Sequence, residues 1–215
     1  LFAPVVGHDN LRPIMGGVHF EKEESYASDG HILVIYNKGS EELAGKTVDQ
    51  FGNKLDGRYP NVHSVIPKDI KQHRGRLDFT QLLKACEWHL RQEENNSEDV
   101  VVIDNNGIKV KLLSRLLSVF GAAGELKCCN LFETATGSAR VLKSDSLTSV
   151  IMPCMFEAEK VDAEREDEGC AKIFSFENFI NNFVFESWKP KPAKVVVTVG
   201  TLNARDSSGV YPHGS

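Results

Sequence analysis

The chain has 215 residues, 41% of them hydrophobic and 26% charged, enough to bury the core of one large domain or two small ones. Its formal net charge of -5 excludes a uniformly basic nucleic-acid binder while leaving room for a local basic stripe. No apolar run reaches the roughly 18–20 residues that span a bilayer, and the opening "LFAPVVGHDN" lacks the charged and apolar regions of a signal peptide, so no membrane partner and a cytoplasmic location are expected.

In chain order, "IMGGVHFE" and "YASDGHILVIY" read as two strands of a hairpin joined by a polar connection over residues 21–25. Residues 37–56 are rich in Gly, Lys, Asp and Glu and read as a loop carrying a short edge strand at 46–51. "GRYPNVHSVIP" reads as one more strand, ended by Pro67. In "DFTQLLKACEWHLRQ", Asp78 followed three places later by Gln81 resembles a capping box, and Phe79, Leu82, Leu83, Cys86 and Leu90 form a stripe at helical spacing. A strand at "VVVID" precedes a second helix, "KVKLLSRLLSVFG", which is expected to bury Leu112, Leu113, Leu116, Leu117 and Phe120 and to stop at Gly121. "ELKCCNLFE", "SARVLKS" and "LTSVIMPCM" then read as an antiparallel meander. Residues 157–172 read as a charged loop, and "FSFENFINNFVFE" and "AKVVVTVGTL" as ordered segments of unassigned arrangement joined by a Pro-rich stretch.

Chemistry-bearing clusters are few. Cys86, Cys128, Cys129, Cys154 and Cys170 contain no C-x-x-C pair and no ligand-like spacing with the seven histidines, so free thiols are expected, with no metal and no other cofactor. Asp29-Gly30-His31, with Ser28 beside it, could be imagined as part of a small hydrolase using Asp29 and His31 with a distant nucleophile. Neighbours on one strand point to opposite faces, however, and Asp-Gly is common where a strand bends, which favours a structural role. Glu23-Glu24 and Glu93-Glu94 read as solvated charge. No G-x-S-x-G, P-loop, H-E-x-x-H or dinucleotide fingerprint occurs.

Three separated segments resemble one family. "LRPIMGGVHFE" with "YASDGHILVIY", then "DGRYPNVHSVIPK", then "VIMPCM" at residues 150–155 are similar, in order, to segments of the bacterial sliding clamp, the beta subunit of the replicative DNA polymerase. The resemblance implies an α+β, DNA-clamp-like fold of βαβββ-type units, with antiparallel sheets and two helices on one side. It implies a clamp-like region over residues 1–156, divided at about 67, and leaves 157–215 as an extension. It also implies a non-enzymatic, processivity-factor-like protein of DNA replication or repair. Carried across residue by residue, a hydrophobic cleft for peptides of a DNA polymerase or clamp loader would comprise Ser28, Gly30, His31, Ile32 and Leu33; Pro60, Ser64 and Val65; and Val150, Ile151, Met152, Pro153 and Cys154. Met adapts to varied ligands and suits such a groove.

The sequence departs from the family's pattern where Ile32 and Ser64 replace arginines and Cys154 replaces a methionine. The matching region is also shorter than a three-domain clamp. Double-stranded DNA is an implied partner through Lys84 and Arg91 on the first helix and Lys111 and Arg115 on the second, with Lys68, Lys71, Arg74 and Arg76 of "KDIKQHRGR" beside them. A homo-oligomer is the expected assembly; the alternative is a monomeric adaptor or competitor for clamp partners that does not encircle DNA.

Overall fold

The computed structural model describes residues 1–7, 11–72, 77–92, 95–134, 138–164 and 170–188. Nine strands form one sheet: β1 (Val18–Phe20), β2 (Ser25–Ser28), β3 (Ile32–Tyr36), β4 (Lys46–Val48), β5 (Lys54–Leu55), β6 (Lys71–Gln72), β9 (Asn130–Glu133), β10 (Arg140–Lys143) and β11 (Leu147–Ile151). Their spatial order is β5-β4-β1-β2-β3-β11-β10-β9-β6, with every pairing antiparallel. A second sheet joins β7 (Val100–Ile103), β8 (Asn106–Lys109) and β12 (Ile173–Ser175) in the order β12-β7-β8. Helices α1 (Phe79–His89), α2 (Val110–Ala122) and α3 (Phe176–Trp188) complete an α+β architecture. Among the described residues, no helix is long and apolar enough to cross a membrane.

The helices form where capping and periodicity coincide. The Asp78 carboxylate accepts the Gln81 N–H at 2.9 Å, satisfying one of the free donors of the first turn of α1. Phe79, Leu82, Ala85, Cys86 and His89 face inward along its length. Helix α2 buries Val110, Leu113, Leu116, Leu117, Val119 and Phe120, each large side chain contributing about 1.5–3 kcal/mol by leaving water. Leu112 is only half-buried, and the helix runs one residue past Gly121, ending where Gly124 takes φ +75°.

The large sheet is covered on both faces, as the period-2 alternation of its central strands requires. Ile32, Val34, Leu142, Leu147 and Ile151 pack against α1 and α2 in one cluster, and Leu33, Ile35, Val141 and Val150 pack with Tyr26, Tyr59 and Val62 in another. The second cluster explains a correction. "GRYPNVHSVIP" is not a strand: it crosses the outer face of the sheet, with a 3-10 turn at Val62–Val65, because Pro60 and Pro67 cannot donate to a ladder while Tyr59 and Val62 supply apolar cover.

Three further differences have local causes. "IMGG" lies in a 3-10 turn, Pro13–Gly16, rather than in a strand. "YASDGHILVIY" is two strands, β2 and β3, and not one. Strand β8 was not expected; Asp104 and Asn105, at φ 49° and 58°, make a two-residue turn that returns the chain against β7.

The C-terminal part is tied to the rest by a buried polar cluster. The Asp99 carboxylate, fully buried, accepts His89 Nε2 at 2.9 Å and the N–H groups of Asn96 at 3.0 Å and Lys172 at 2.7 Å. His89 Nδ1 lies 3.1 Å from the Asn95 side-chain amide, so the imidazole proton belongs on Nε2. Burial works to raise the Asp99 carboxyl, but the hydrogen bonds from His89, Lys172 and Asn96 outweigh it and hold it below its ordinary value. Strand β12 pairs parallel with β7, and Phe174 and Phe179 pack on the His89 ring. The segment "AKVVVTVGTL" and Glu93-Glu94 lie outside the described residues.

Candidate peptide-binding groove

The β2–β3 connection is a hydrogen-bonded turn. Asp29 Oδ1 accepts the N–H groups of His31 at 2.8 Å and Ile32 at 2.9 Å, while Ser28 Oγ accepts the Gly30 N–H at 3.1 Å. Asp29 Oδ2 meets Arg115 Nη1 at 2.8 Å, and Arg115 Nε donates to the Pro4 carbonyl at 2.8 Å. Both Asp29 oxygens are thereby used to fasten the turn to α2 and to the N-terminal segment. Gly30 has φ +90°, a conformation a Cβ resists. Gly30→Ala is expected to lower stability by about 1–2 kcal/mol, read as a lower urea midpoint with an unchanged slope.

Behind this turn lies a groove of about 270 Å³. Its depth is lined by the buried residues Met15, Ile32, Leu33, Tyr59, Val62 and Val150, and its mouth by Gly30, His31, Pro60, Val65 and Met152. Val65 is 53% and Met152 44% exposed, so apolar surface reaches the opening and is available to a partner. Three stretches of chain converge here: the end of β11 continues onto the turn through Met152 N–H donating to the His31 carbonyl at 2.8 Å, and the Tyr59 hydroxyl accepts the Ser28 N–H at 3.0 Å. Burial pushes the Tyr59 phenol up to about 12, leaving it a neutral hydrogen-bonding wall at neutral pH.

Of the thirteen expected cleft positions, Ser28, Gly30, His31, Ile32, Leu33, Pro60, Val65, Val150 and Met152 line this groove. Ser64 does not: its hydroxyl donates to the Asn61 carbonyl at 2.7 Å. Ile151 points to the opposite face of the sheet and is fully buried against the helices. Pro153 and Cys154 lead away from it, and the Cys154 N–H donates to the Gly107 carbonyl of β8 at 2.9 Å. Arg12, Met15, Tyr59, Asn61 and Val62 complete the lining. Arg12 and Met15 stand in the same stretch as the "IMGG" turn, and Tyr59 and Val62 flank Pro60, so proximity to the recognised segments was their only sequence signal.

The helix cations divide. Lys84 and Lys111 are exposed. Arg91 is exposed but lies 3.7 Å from Glu87 in an i,i+4 pair, a contact of small energy. Arg115 is held by Asp29 and Pro4. Lys68 and Lys71 are exposed, and Arg74 and Arg76 lie outside the described residues. Glu24 receives a hydrogen bond from His63 Nε2 at 2.6 Å. Among the described residues no group of three or more His, Cys, Asp or Glu side chains could hold a metal ion.

No family model matches the chain, and no curated protein matches it. Solved structures do. The DNA polymerase III subunit beta of Pseudomonas aeruginosa superposes with a TM-score of 0.53 at 13% identity, over 71% of this chain and 61% of that one. The same organism's sliding clamp bound to griselimycin gives 0.55 at 13% identity, over 73% and 62%. The subunit beta of Borrelia burgdorferi in complex with a natural product gives 0.53 at 15% identity, over 71% and 60%. The chain thus has the fold of a sliding clamp and spans about 61% of the length of the first of these.

Proposed function

We propose that this protein is a sliding-clamp-like, non-enzymatic factor of DNA replication or repair that receives short peptides of a DNA polymerase or clamp loader in the groove beside the Asp29-Gly30 turn. The observation that carries the reading is the convergence of residues 28–33, 59–65 and 150–152 on one apolar groove with exposed Val65 and Met152 at its mouth. Such a groove accepts apolar anchors of a linear segment, and a methionine at the rim can re-pack around different side chains. Duplex DNA is the second proposed partner, through Lys84 and Lys111 with Arg91; contacts of this kind are electrostatic and independent of sequence.

The deciding experiment is fluorescence anisotropy of a labelled clamp-binding peptide from a bacterial replicative polymerase, titrated with wild type and with Met152→Glu. Saturable binding by wild type, weakened at least about 30-fold in the variant (about 2 kcal/mol) at unchanged circular dichroism, supports the reading. Equal affinities would overturn the assigned groove. The alternative, a monomeric adaptor that does not encircle DNA, is favoured by the capture of Arg115 inside the fold; it predicts peptide binding with no salt-dependent retention of duplex DNA.

A further inference from the structure

Two hydroxyl protons at the groove have no acceptor among the described residues. Tyr59, only 7% exposed, accepts the Ser28 N–H on its phenol oxygen at 3.0 Å. That bond uses the oxygen alone, and no described residue takes the phenol's own proton. Ser28 repeats the pattern: its Oγ accepts the Gly30 N–H at 3.1 Å, and its hydroxyl proton is likewise left to donate. Both residues line the groove. The Tyr59 ring is held in place by His19, with centroids 5.3 Å apart, and edge-on by Tyr26 at 5.4 Å. Burial pushes the phenol up to about 12, so it stays a donor throughout the neutral range.

While the groove is open, solvent serves such protons. A segment that fills it displaces that solvent, and a donor left unmade in an apolar site weakens binding by roughly tenfold or more. The replacing acceptor has to be neutral. Met15, Ile32, Leu33, Val62 and Val150, which share the depth with Tyr59, bring no charge, and a carboxylate among them would lose its hydration with no cation to replace it. Arg12, the cation of the lining, is exposed beside Gly30 at the mouth. A carbonyl oxygen of the backbone or of a side-chain amide satisfies a hydroxyl donor without that cost.

We propose that Tyr59 is a specificity-determining residue of this groove: its hydroxyl, seconded by that of Ser28, donates to a neutral carbonyl oxygen that the bound peptide carries beside its apolar anchors. The inference rests on the proposed peptide binding and adds what the peptide must bring. The groove then discriminates by polarity as well as by size, and a purely apolar segment of the same shape is disfavoured.

The test uses the full chain and the labelled polymerase peptide of the anisotropy titration. Copies of the peptide each lack one good acceptor, a backbone carbonyl replaced by a thioamide or a side-chain amide replaced by an apolar group of the same length. Tyr59→Phe is expected to bind the parent peptide about 5- to 10-fold more weakly than wild type, the scale of one neutral hydrogen bond, at unchanged circular dichroism. One copy is expected to show that same loss with wild type and no further loss with Tyr59→Phe, and its chemistry tells whether the acceptor is backbone or side chain. A hydroxyl that acted only by holding the Ser28 N–H would weaken every copy by the same factor, so uniform losses would overturn the proposal, as would wild-type affinity in Tyr59→Phe. A second variant fixes the sign: replacing Tyr59 with a ring-fluorinated tyrosine keeps the ring and makes the phenol a stronger donor and a poorer acceptor. Tighter binding is expected, and unchanged or looser binding counts against the donor role. Failure of wild type to bind the parent peptide is a separate result, which removes the groove reading itself and this inference with it.

Discussion

Asp99→Ala is expected to lower the stability of the protein by about 3–5 kcal/mol, the cost of removing one partner from a buried, hydrogen-bonded polar pair, against a total that for domains is about 5–15 kcal/mol. The carboxylate is fully buried and serves three donors at once: His89 Nε2 from α1, the Asn96 N–H just before β7, and the Lys172 N–H just before β12. Alanine leaves all three without an acceptor in a space too small to admit their full hydration. Urea denaturation by far-UV circular dichroism measures the loss. Asp99→Asn, which keeps the volume and one acceptor oxygen, is expected to lose less.

The same residue sets an acid dependence. Its carboxyl is held below its ordinary value in the folded protein, so the unfolded chain takes up the proton first, near pH 4. The stabilisation is therefore complete above about pH 4 and drains away as the pH falls through the lower folded value. In Asp99→Ala this component of the acid sensitivity disappears, and the curve of stability against pH below about 4 becomes flatter.

Ile151→Glu is the second large effect, and it contrasts with its neighbour. Ile151 is fully buried on the helix side of β11, paired in register with Ile32 of β3. The buried cross-strand neighbour Arg140 is already engaged by Asp104, and the loss of the apolar side chain together with the burial of a carboxylate on the helix side of the sheet is expected to cost about 4 kcal/mol. The variant is expected to be largely unfolded at 25 °C, seen as a collapsed circular dichroism signal and loss of amide protection. Met152→Glu, one residue on and facing the groove mouth, is expected to keep the wild-type spectrum. Equal stability of the two variants would contradict the assignment of the two faces of β11.

That contrast shows where the sequence was informative. Residues 150–152 were recognised as a unit because a resemblance is read along the chain, whereas a strand sends alternate residues to opposite sides, so Val150 and Met152 join the groove and Ile151 the core. Helices α1 and α2 and the β9–β11 meander were legible because periodicity, a cap at Asp78 and turn residues all agreed. The hairpin of β7 and β8 was readable in principle from the Asp104-Asn105 turn, but the short "NGIK" strand runs directly into helix α2 with no turn residue between them to mark it as a strand. Arg115 lies on the outward stripe of α2 by spacing and was read as a free cation. Its engagement with Asp29 and Pro4 depends on contacts 86 and 111 residues distant in sequence, which no local pattern encodes. The parallel docking of β12 on β7 is hidden for the same reason.

The pairing of β3 with β11 has a kinetic consequence. Ile32 and Ile151 are far apart in sequence but paired in the sheet, and closing so long a loop is slow because its entropy is lost before the contact rewards it. A nascent chain that has not yet reached β11 therefore has the Asp29-Gly30 turn and the Tyr59 wall of the groove but not the strand that completes it.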